Sequence, residues 1–170
     1  MSEASQYKDT IIDTIIKMLK DNLPNGYFKA YYYGDPIIPP TSLLPCVIVE
    51  KRVTDIPSGG ESPTGMDLLK TTVRIKLAYN KRDDFGKNPE EVVGVRSLEQ
   101  YAEGRDRTTG EYDAQSVAGI LRKNFTMGNI VVDQRLRIEY GVVPRPQEMI
   151  TAEAWIDCDF TELITVTGRS

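Results

Sequence analysis

Apolar and polar residues alternate with a period of two along the last third of the chain. Because successive side chains of a strand point to opposite faces, this alternation predicts one long, half-buried strand. Glu162 breaks the apolar parity, which indicates a register change or bulge, or a partner lying against the strand. Trp155 has the polar parity, where it either partly covers a helix packed on that face or anchors an interface, since Trp is enriched at interface hot spots. The apolar parity holds Ala154, Ile156, Cys158, Phe160, Ile164 and Val166, and the other holds Trp155, Asp157, Asp159, Thr161, Thr165 and Thr167.

Other segments carry the periods of strands and helices. Alternation or apolar and aromatic runs predict further strands over residues 27–33, 46–53, 71–79 and 130–140. Apolar residues at three- and four-residue steps predict helices over residues 7–23, 88–102 and 113–124, with Ser5 capping the first and Asn88 and Pro89 beginning the second. The predicted fold class is α+β: a mostly antiparallel sheet of about four to five strands, with helices packed on it and one long loop between strands.

The connections between these elements are of three kinds. The four prolines at positions 36, 39, 40 and 45 predict a stiff, extended surface connection. The charged residues 103–111 predict a solvated loop, and residues 141–146 are expected to carry the chain over to the final strand.

Residues 54–69 form the predicted long loop, which is rich in Gly, Ser and Pro. A loop of this length inside a compact domain is usually functional or disordered. It is either a mobile hairpin tip or an arm that orders against a neighbouring subunit, and Ile56 and Met66 favour the arm because a purely solvated tip needs neither. Its glycines fit neither phosphate-binding fingerprint.

Composition agrees with one soluble domain over residues 1–170. The chain has a net charge of −4 and a pI near 5.0, so a general affinity for nucleic acid is not expected. Charged or polar residues interrupt every apolar stretch, so no membrane span is predicted. The first five residues resemble no secretory signal, so synthesis is expected to end in a cytoplasm.

Candidate chemistry is sparse. The sequence contains no histidine, which removes the commonest general base and a common zinc ligand. Cys46 and Cys158 lie in apolar, strand-like sequence, so buried free thiols are favoured over a disulfide. Asp157 and Asp159 share a predicted strand face. Paired carboxylates can bind magnesium or act as acid and base, so a magnesium or hydrolytic site at this pair stays an alternative. No catalytic residue, cofactor-binding residue or metal ligand is predicted.

The order of elements resembles that of the tail terminator and tail completion proteins at the neck of long-tailed bacteriophages. The resemblance covers most of the chain: helix, aromatic strand, proline-rich connection, strand, the loop with Pro63, Met66 and Asp67, the strand from Thr71 with residues 80–86, helices, and two closing strands. It implies a non-enzymatic virion protein, six copies of which close into a ring on the last layer of the tail tube.

The resemblance also implies partners. The ring would contact the tail tube protein below, head–tail connector or neck proteins above, and a tail sheath where one exists, while DNA passes through without sequence-specific binding. The alternative is another phage structural role, such as head completion, tail tube or sheath-associated subunit. A carboxylate–metal hydrolase is the last alternative. The candidate subunit-interface residues are Ile56, Pro63, Met66, Asp67, Trp155 and Glu162.

Overall fold

The computed structural model describes residues 10–56, 66–92 and 94–165. Three helices and five strands follow one another along these ranges, with short 3-10 turns at Thr41–Leu43, Lys81–Asp84 and Pro89–Glu91. The elements are α1 (Thr10–Asn22), β1 (Ala30–Tyr33), β2 (Cys46–Asp55), β3 (Met66–Asn80), α2 (Gly94–Glu103), α3 (Val117–Lys123), β4 (Val131–Arg145) and β5 (Met149–Thr165).

The five strands form one sheet in the order β1-β2-β3-β5-β4. β1 pairs parallel with β2, and every other neighbouring pair is antiparallel. The α+β fold class with a mostly antiparallel sheet is therefore confirmed. β1 ends at Tyr33 opposite Val49, so the second half of β2 has no strand on its outer side in the described part of the chain.

The main core lies between one face of the sheet and the helices, and we call this the helix face. It contains the buried apolar parity of β3 and β5, including Ile75, Ile156, Cys158 and Phe160, together with the apolar side of α1. The predicted parity is confirmed for these positions. Cys46 and Cys158 are buried and unpaired, as predicted.

The opposite face of the sheet, which we call the open face, is covered by other described residues at one end. Leu44, Cys46, Ile48 and Ala78 form a second apolar cluster there. The segment 36–45 was predicted as a surface connection, which is only partly right, because Pro39 is buried and Leu44 is buried in this cluster.

Two predicted strand boundaries are wrong, one because of packing and one because of the position of a turn. The aromatic stretch 27–33 pairs only from Ala30, because Tyr27 and Phe28 stack on Tyr101 of α2, with ring centroids 4.5 and 5.5 Å away. Residues 141–145 extend β4 instead of leaving it, and the turn to β5 has positive φ at Gln147 (61°) and Glu148 (59°), as in a primed hairpin turn. Pro144 is tolerated because β4 is an edge strand.

Helix starts were also predicted too early. Asn88 makes no side-chain cap and precedes only the 3-10 turn, while α2 begins at Gly94, where a Cβ atom would come within 2.7 Å of the Tyr79 ring. α3 begins at Val117 and not near Asp113, because the Ser116 hydroxyl accepts the cap hydrogen bond from the Gly119 N–H at 3.1 Å. Ser5 lies outside the described residues.

Candidate functional site

The end of the sheet that lies next to residues 57–65 narrows to two strands. β2 ends at Asp55 opposite Lys70, and β4 begins at Val131 opposite Glu162. Beyond these points β3 and β5 are the only described strands that remain paired, so residues 66–68 and 163–165 form a two-stranded extension that we call the distal ribbon. Met66 lies five residues beyond the buried Thr71, which corresponds to about 17 Å of extended strand.

The distal ribbon exposes apolar side chains. Leu68 and Leu163 are directly opposite each other on the open face, and they are 52% and 45% exposed. Ile164, on the helix face, is also exposed, and so are Val53 and Ile56 at the end of β2. Single exposed apolar residues are common, whereas contiguous exposed apolar patches are typical of interaction surfaces. A two-stranded ribbon is also only marginally stable in water by itself.

This end of the sheet brings together four of the six interface residues predicted from the sequence. Met66 and Asp67 were assigned to the loop, but they are the first residues of β3, and Thr54 and Asp55 likewise extend β2, so the loop prediction over 54–69 is wrong at both ends. Ile56 is 69% exposed directly after β2. Pro63 lies outside the described residues, as does the side chain of Met66.

Glu162 marks a bulge, which is one of the two readings of its position. The register of β4 shifts between Val131 and Asp133, directly opposite Glu162. Its carboxylate accepts a hydrogen bond of 3.0 Å from the Thr71 hydroxyl on the neighbouring strand. The bulge lies in β4. The register of β5 with β3 is continuous, so in β5 the irregularity is visible only as a polar residue at an apolar position.

Trp155 lies far from the distal ribbon and on the open face. The described helices pack on the helix face, so the first of its two readings, cover for a packed helix, is wrong for them. Its indole N–H donates to Glu153 at 2.8 Å, and the Arg74 guanidinium stacks 4.3 Å from the ring centroid. Eight residues separate Trp155 from Leu163, or about 27 Å along the strand. A direct role in an interface stays a prediction.

A buried ionic cluster, which we call the Asp35 network, connects the segment after β1 to the open face. Its members are Asp35, Lys76, Arg145, Thr151 and Glu153. The Arg145 guanidinium donates to Asp35 at 2.8 and 3.1 Å and to Glu153 at 3.0 and 3.1 Å. Lys76 donates to Asp35 at 2.8 Å, and the Thr151 hydroxyl contacts Glu153, whose side chain is 1% exposed. Burial alone would raise the pKa of Asp35, but the hydrogen bonds from Arg145, Lys76 and the Ile37 N–H hold that pKa well below its usual range.

The network also holds an unusual backbone conformation. Ile37 has a positive φ of 68°, which is a genuine outlier for a β-branched residue. Its N–H donates to Asp35 at 2.7 Å and its carbonyl accepts from Arg145 at 2.8 Å, so both sides of the residue are fixed. The Ile37 side chain is exposed to solvent. The cluster was not predicted from the sequence. Its one local signal is Asp35, because an Asp side chain in a turn commonly accepts a hydrogen bond from the backbone N–H two residues later.

The carboxylate pair considered for a metal is engaged by other groups. Arg74 donates to both oxygens of Asp157, at 2.8 and 3.3 Å, and the Thr72 hydroxyl donates to Asp159 at 2.8 Å. A guanidinium in this position competes with a divalent cation for the carboxylate. Within the described ranges, no group of three or more Cys, Asp or Glu side chains is arranged to hold a metal ion.

Two further findings bear on the class of protein. No helix in the described ranges is long and apolar enough to cross a membrane. No protein-family model matches the sequence, and no curated protein matches it either. The described residues form an α+β domain with the Asp35 network at one end of the open face and the distal ribbon at the other.

Proposed function

We propose that the protein is a ring-forming structural component of a bacteriophage neck, similar to the tail terminators. The distal ribbon is the observation that carries this proposal. It extends the sheet beyond the ends of β2 and β4 and exposes Leu68 and Leu163, where a solitary domain gains nothing from them. The order of elements along the chain, which resembles that family, supplies the particular role.

In this proposal six copies close into a ring on the last layer of the tail tube. The ring stops tube growth and offers its other side to the head–tail connector, and a sheath protein is a further neighbour in contractile tails. Closed rings need heterologous contacts, in which two different surfaces of the subunit meet. A net charge of −4 would favour free passage of DNA through the ring, because an acidic bore does not attract phosphates.

The distal ribbon would provide the contact with the neighbouring subunit or with the tube. Exposed Leu68 and Leu163 form a cross-strand pair, so their removal from water by a partner is favourable without any rearrangement of the sheet. The residues 57–65 join the same strand ends and would be ordered by the same contact.

Two kinds of variant test the proposal. Leu68→Ser with Leu163→Ser removes the apolar pair, and a deletion of residues 58–65 shortens the connection. Both should leave the melting temperature of the monomer nearly unchanged, because the main core lies elsewhere. Both should lose ring formation in negative-stain images and attachment to tails that lack the protein.

Val95→Ser is the matched control, since it changes an exposed apolar residue on α2, away from the distal ribbon. The proposal would be refuted by ribbon variants that form rings and complete tails as well as this control does. A wild-type protein that polymerises into tubes instead of capping them would identify it as a tube subunit.

A further inference from the structure

β4 lies at the outer edge of the sheet along its whole length of 15 residues, and no described strand covers it. Such an edge is a template for pairing with another strand. The two ends of this edge are irregular, because the bulge lies near Val131 and Pro144 lies near the other end. The stretch between them is regularly paired with β5 on its inner side.

The residues that can pair on the outer side follow from the ends of this stretch. Alternate residues of an edge strand direct their N–H and C=O groups outward. Pro144 has no N–H, and an edge strand accommodates a proline with its nitrogen outward, so the even-numbered residues form the outward class. The Gln134 carbonyl already accepts from Arg122 of α3 at 3.3 Å, which ends the pairing stretch on that side. The outward residues between these ends are Leu136, Ile138, Tyr140 and Val142.

A second copy can pair with this stretch as an antiparallel strand about a two-fold axis at Ile138. On the helix face, Ile138 then lies opposite itself, and Leu136 lies opposite Tyr140 on both sides of the axis. Leu136 and Ile138 are half-buried and Tyr140 is exposed, so the pairing removes apolar surface from water. On the open face, Arg137 lies opposite Glu139 of the other copy, and this pair occurs twice. Within one copy the same two side chains are 2.7 Å apart, but both are exposed.

The charges of β4 favour this register over its neighbours. An axis at Arg137 or at Glu139 would set that residue opposite its own copy, with like charges in contact. An axis at Leu136 would set Arg135 opposite Arg137 and Asp133 opposite Glu139, which are again like charges. Like charges directly opposite each other destabilise an antiparallel pair. With the axis at Ile138, Arg135 lies opposite Gly141 and Asp133 opposite Val143, so no like charges meet.

The sheet already has the charge order that this contact would continue. Along one rung of the open face, Glu50 is opposite Arg74, Arg74 is opposite Asp157, and Asp157 is opposite Arg137. Acidic and basic side chains therefore alternate across four strands. Glu139 of a second copy would be the next member of this row, on the outer side of Arg137.

We infer that two copies of this chain pair through residues 136–140 of β4, about a two-fold axis at Ile138, so that the sheet continues from one copy into the other. The contact is isologous, since the same residues of both copies form it. It does not depend on the proposed ring. Ile138 is opposite Ile156, seven residues before Leu163, so the contact lies about 23 Å along the strands from the distal ribbon and leaves the ribbon uncovered.

Two charge reversals test the inference through the native mass in analytical ultracentrifugation. Arg137→Glu sets Glu opposite Glu139 twice in a dimer of itself, and Glu139→Arg sets Arg opposite Arg137 twice. Each variant alone should have a dimer dissociation constant raised about tenfold or more. An equal mixture of the two should restore the dimer, because every pair in the mixed dimer is again of opposite charge. All measurements are made with Leu68→Ser and Leu163→Ser present, so that a ring contact at the distal ribbon does not change the mass.

Arg135→Glu is the matched control. Arg135 and Arg137 are both exposed arginines of β4, and both lie opposite an aspartate of β5. The inferred register sets Arg135 opposite Gly141, so this reversal should leave the dimer intact. Melting temperatures show whether each variant is folded.

Crosslinking gives a second measurement that keeps the charges of Glu139. In the inferred dimer the two copies of Arg137→Cys are diagonal neighbours, about 7–8 Å apart and within reach of a short bismaleimide. The two copies of Arg135→Cys would be six residues apart along the strands, or about 20 Å, and out of reach. Cys46 and Cys158 are buried, so they contribute little background.

We expect a native mass of two chains before the charge reversals, its loss in each reversal at position 137 or 139, its return in the mixture, and linked pairs of chains for Arg137→Cys only. A mass of one chain throughout would overturn the inference. So would a mixture that stays dissociated, a control as weakened as Arg137→Glu, or equal linking of Arg135→Cys and Arg137→Cys. A β4 dimer in a wild-type protein that never forms rings would support the inference and refute the proposed function.

Discussion

Replacement of Arg145 by Met should destabilise the protein strongly, because Arg145 neutralises two carboxylates in the Asp35 network. The methionine keeps much of the aliphatic volume and removes the charge. Glu153 would then be left with a side chain that is 1% exposed and with hydrogen bonds from neutral groups only. Removing one partner of a buried ion pair costs about 3 to 5 kcal/mol.

The assay is urea denaturation followed by circular dichroism at pH 7, with Arg137→Met as the matched control. Arg137 is also an arginine of β4 paired with a glutamate, but its side chain is 75% exposed. An exposed pair of this kind contributes about 0 to 1 kcal/mol. The reasoning fails if Arg145→Met costs no more than Arg137→Met.

A double-mutant cycle separates the pair from general damage to the fold. Glu153→Gln in the Arg145→Met background removes the buried charge that the first change left unpaired. The double variant should therefore be more stable than the sum of the two single losses implies, with a coupling of about 1 to 3 kcal/mol. Simple additivity would mean that Arg145 acts through packing alone.

The loss should also depend on pH in a defined direction. The depressed pKa of Asp35 contributes stability that is complete above the usual carboxyl value of about 4 and is lost as the pH falls toward the depressed value. Without Arg145 this pKa returns toward its usual range. The difference in unfolding free energy between wild type and Arg145→Met should therefore be largest near neutral pH and shrink below about pH 4.

Three further predictions concern the core, the thiols and the contact between sheet and helix. Ile75→Ala should cost about 2 to 5 kcal/mol in urea unfolding, because it leaves a cavity in the main core; a loss under 0.5 kcal/mol would contradict the assigned face. In the denatured protein, Cys46 and Cys158 should together take up two equivalents of a thiol reagent without prior reduction. In the native protein at pH 8 they should take up almost none, because burial raises the pKa of Cys46 to about 12 and that of Cys158 further. Tyr140→Phe should lower the free energy of unfolding by about 0.5 to 1.5 kcal/mol, because the hydroxyl donates to Glu103 of α2 at 2.5 Å. An unchanged urea midpoint would show that this hydrogen bond does not stabilise the protein in solution.

The sequence predicts best where a pattern is periodic and local. The parity of Ile75, Ile156 and Phe160 placed all three in the core, because a two-residue period leaves no other face for them. The boundary errors occur where the pattern stops. Leu68 and Leu69 are adjacent, so the start of β3 shows no alternation, and its strand character depends on pairing with β5 almost 100 residues later.

The Asp35 network could not be predicted, because its members are distant in sequence. Asp35 and Arg145 are 110 residues apart, and no spacing rule connects them. Their contact depends on the open face of the sheet, which brings the end of β4 beside the segment after β1. Ile56 and Met66, by contrast, could be proposed as interface candidates from the sequence, because apolar residues inside a polar stretch are visible locally.

The two ends of the open face differ in a way that suits assembly. At one end, Lys76 and Trp155 are fixed by the ionic and stacking contacts around Glu153 and Arg74. At the other, Leu68 and Leu163 are opposite each other across the strands, and both are exposed. Because β3 and β5 run unbroken through both ends, a partner bound to the distal ribbon acts on strands that are already anchored about 27 Å away. If the proposed ring forms, the cost of ordering on assembly would therefore be confined to the ribbon and its neighbouring strand ends, and the rest of the subunit would bind as a preorganised unit.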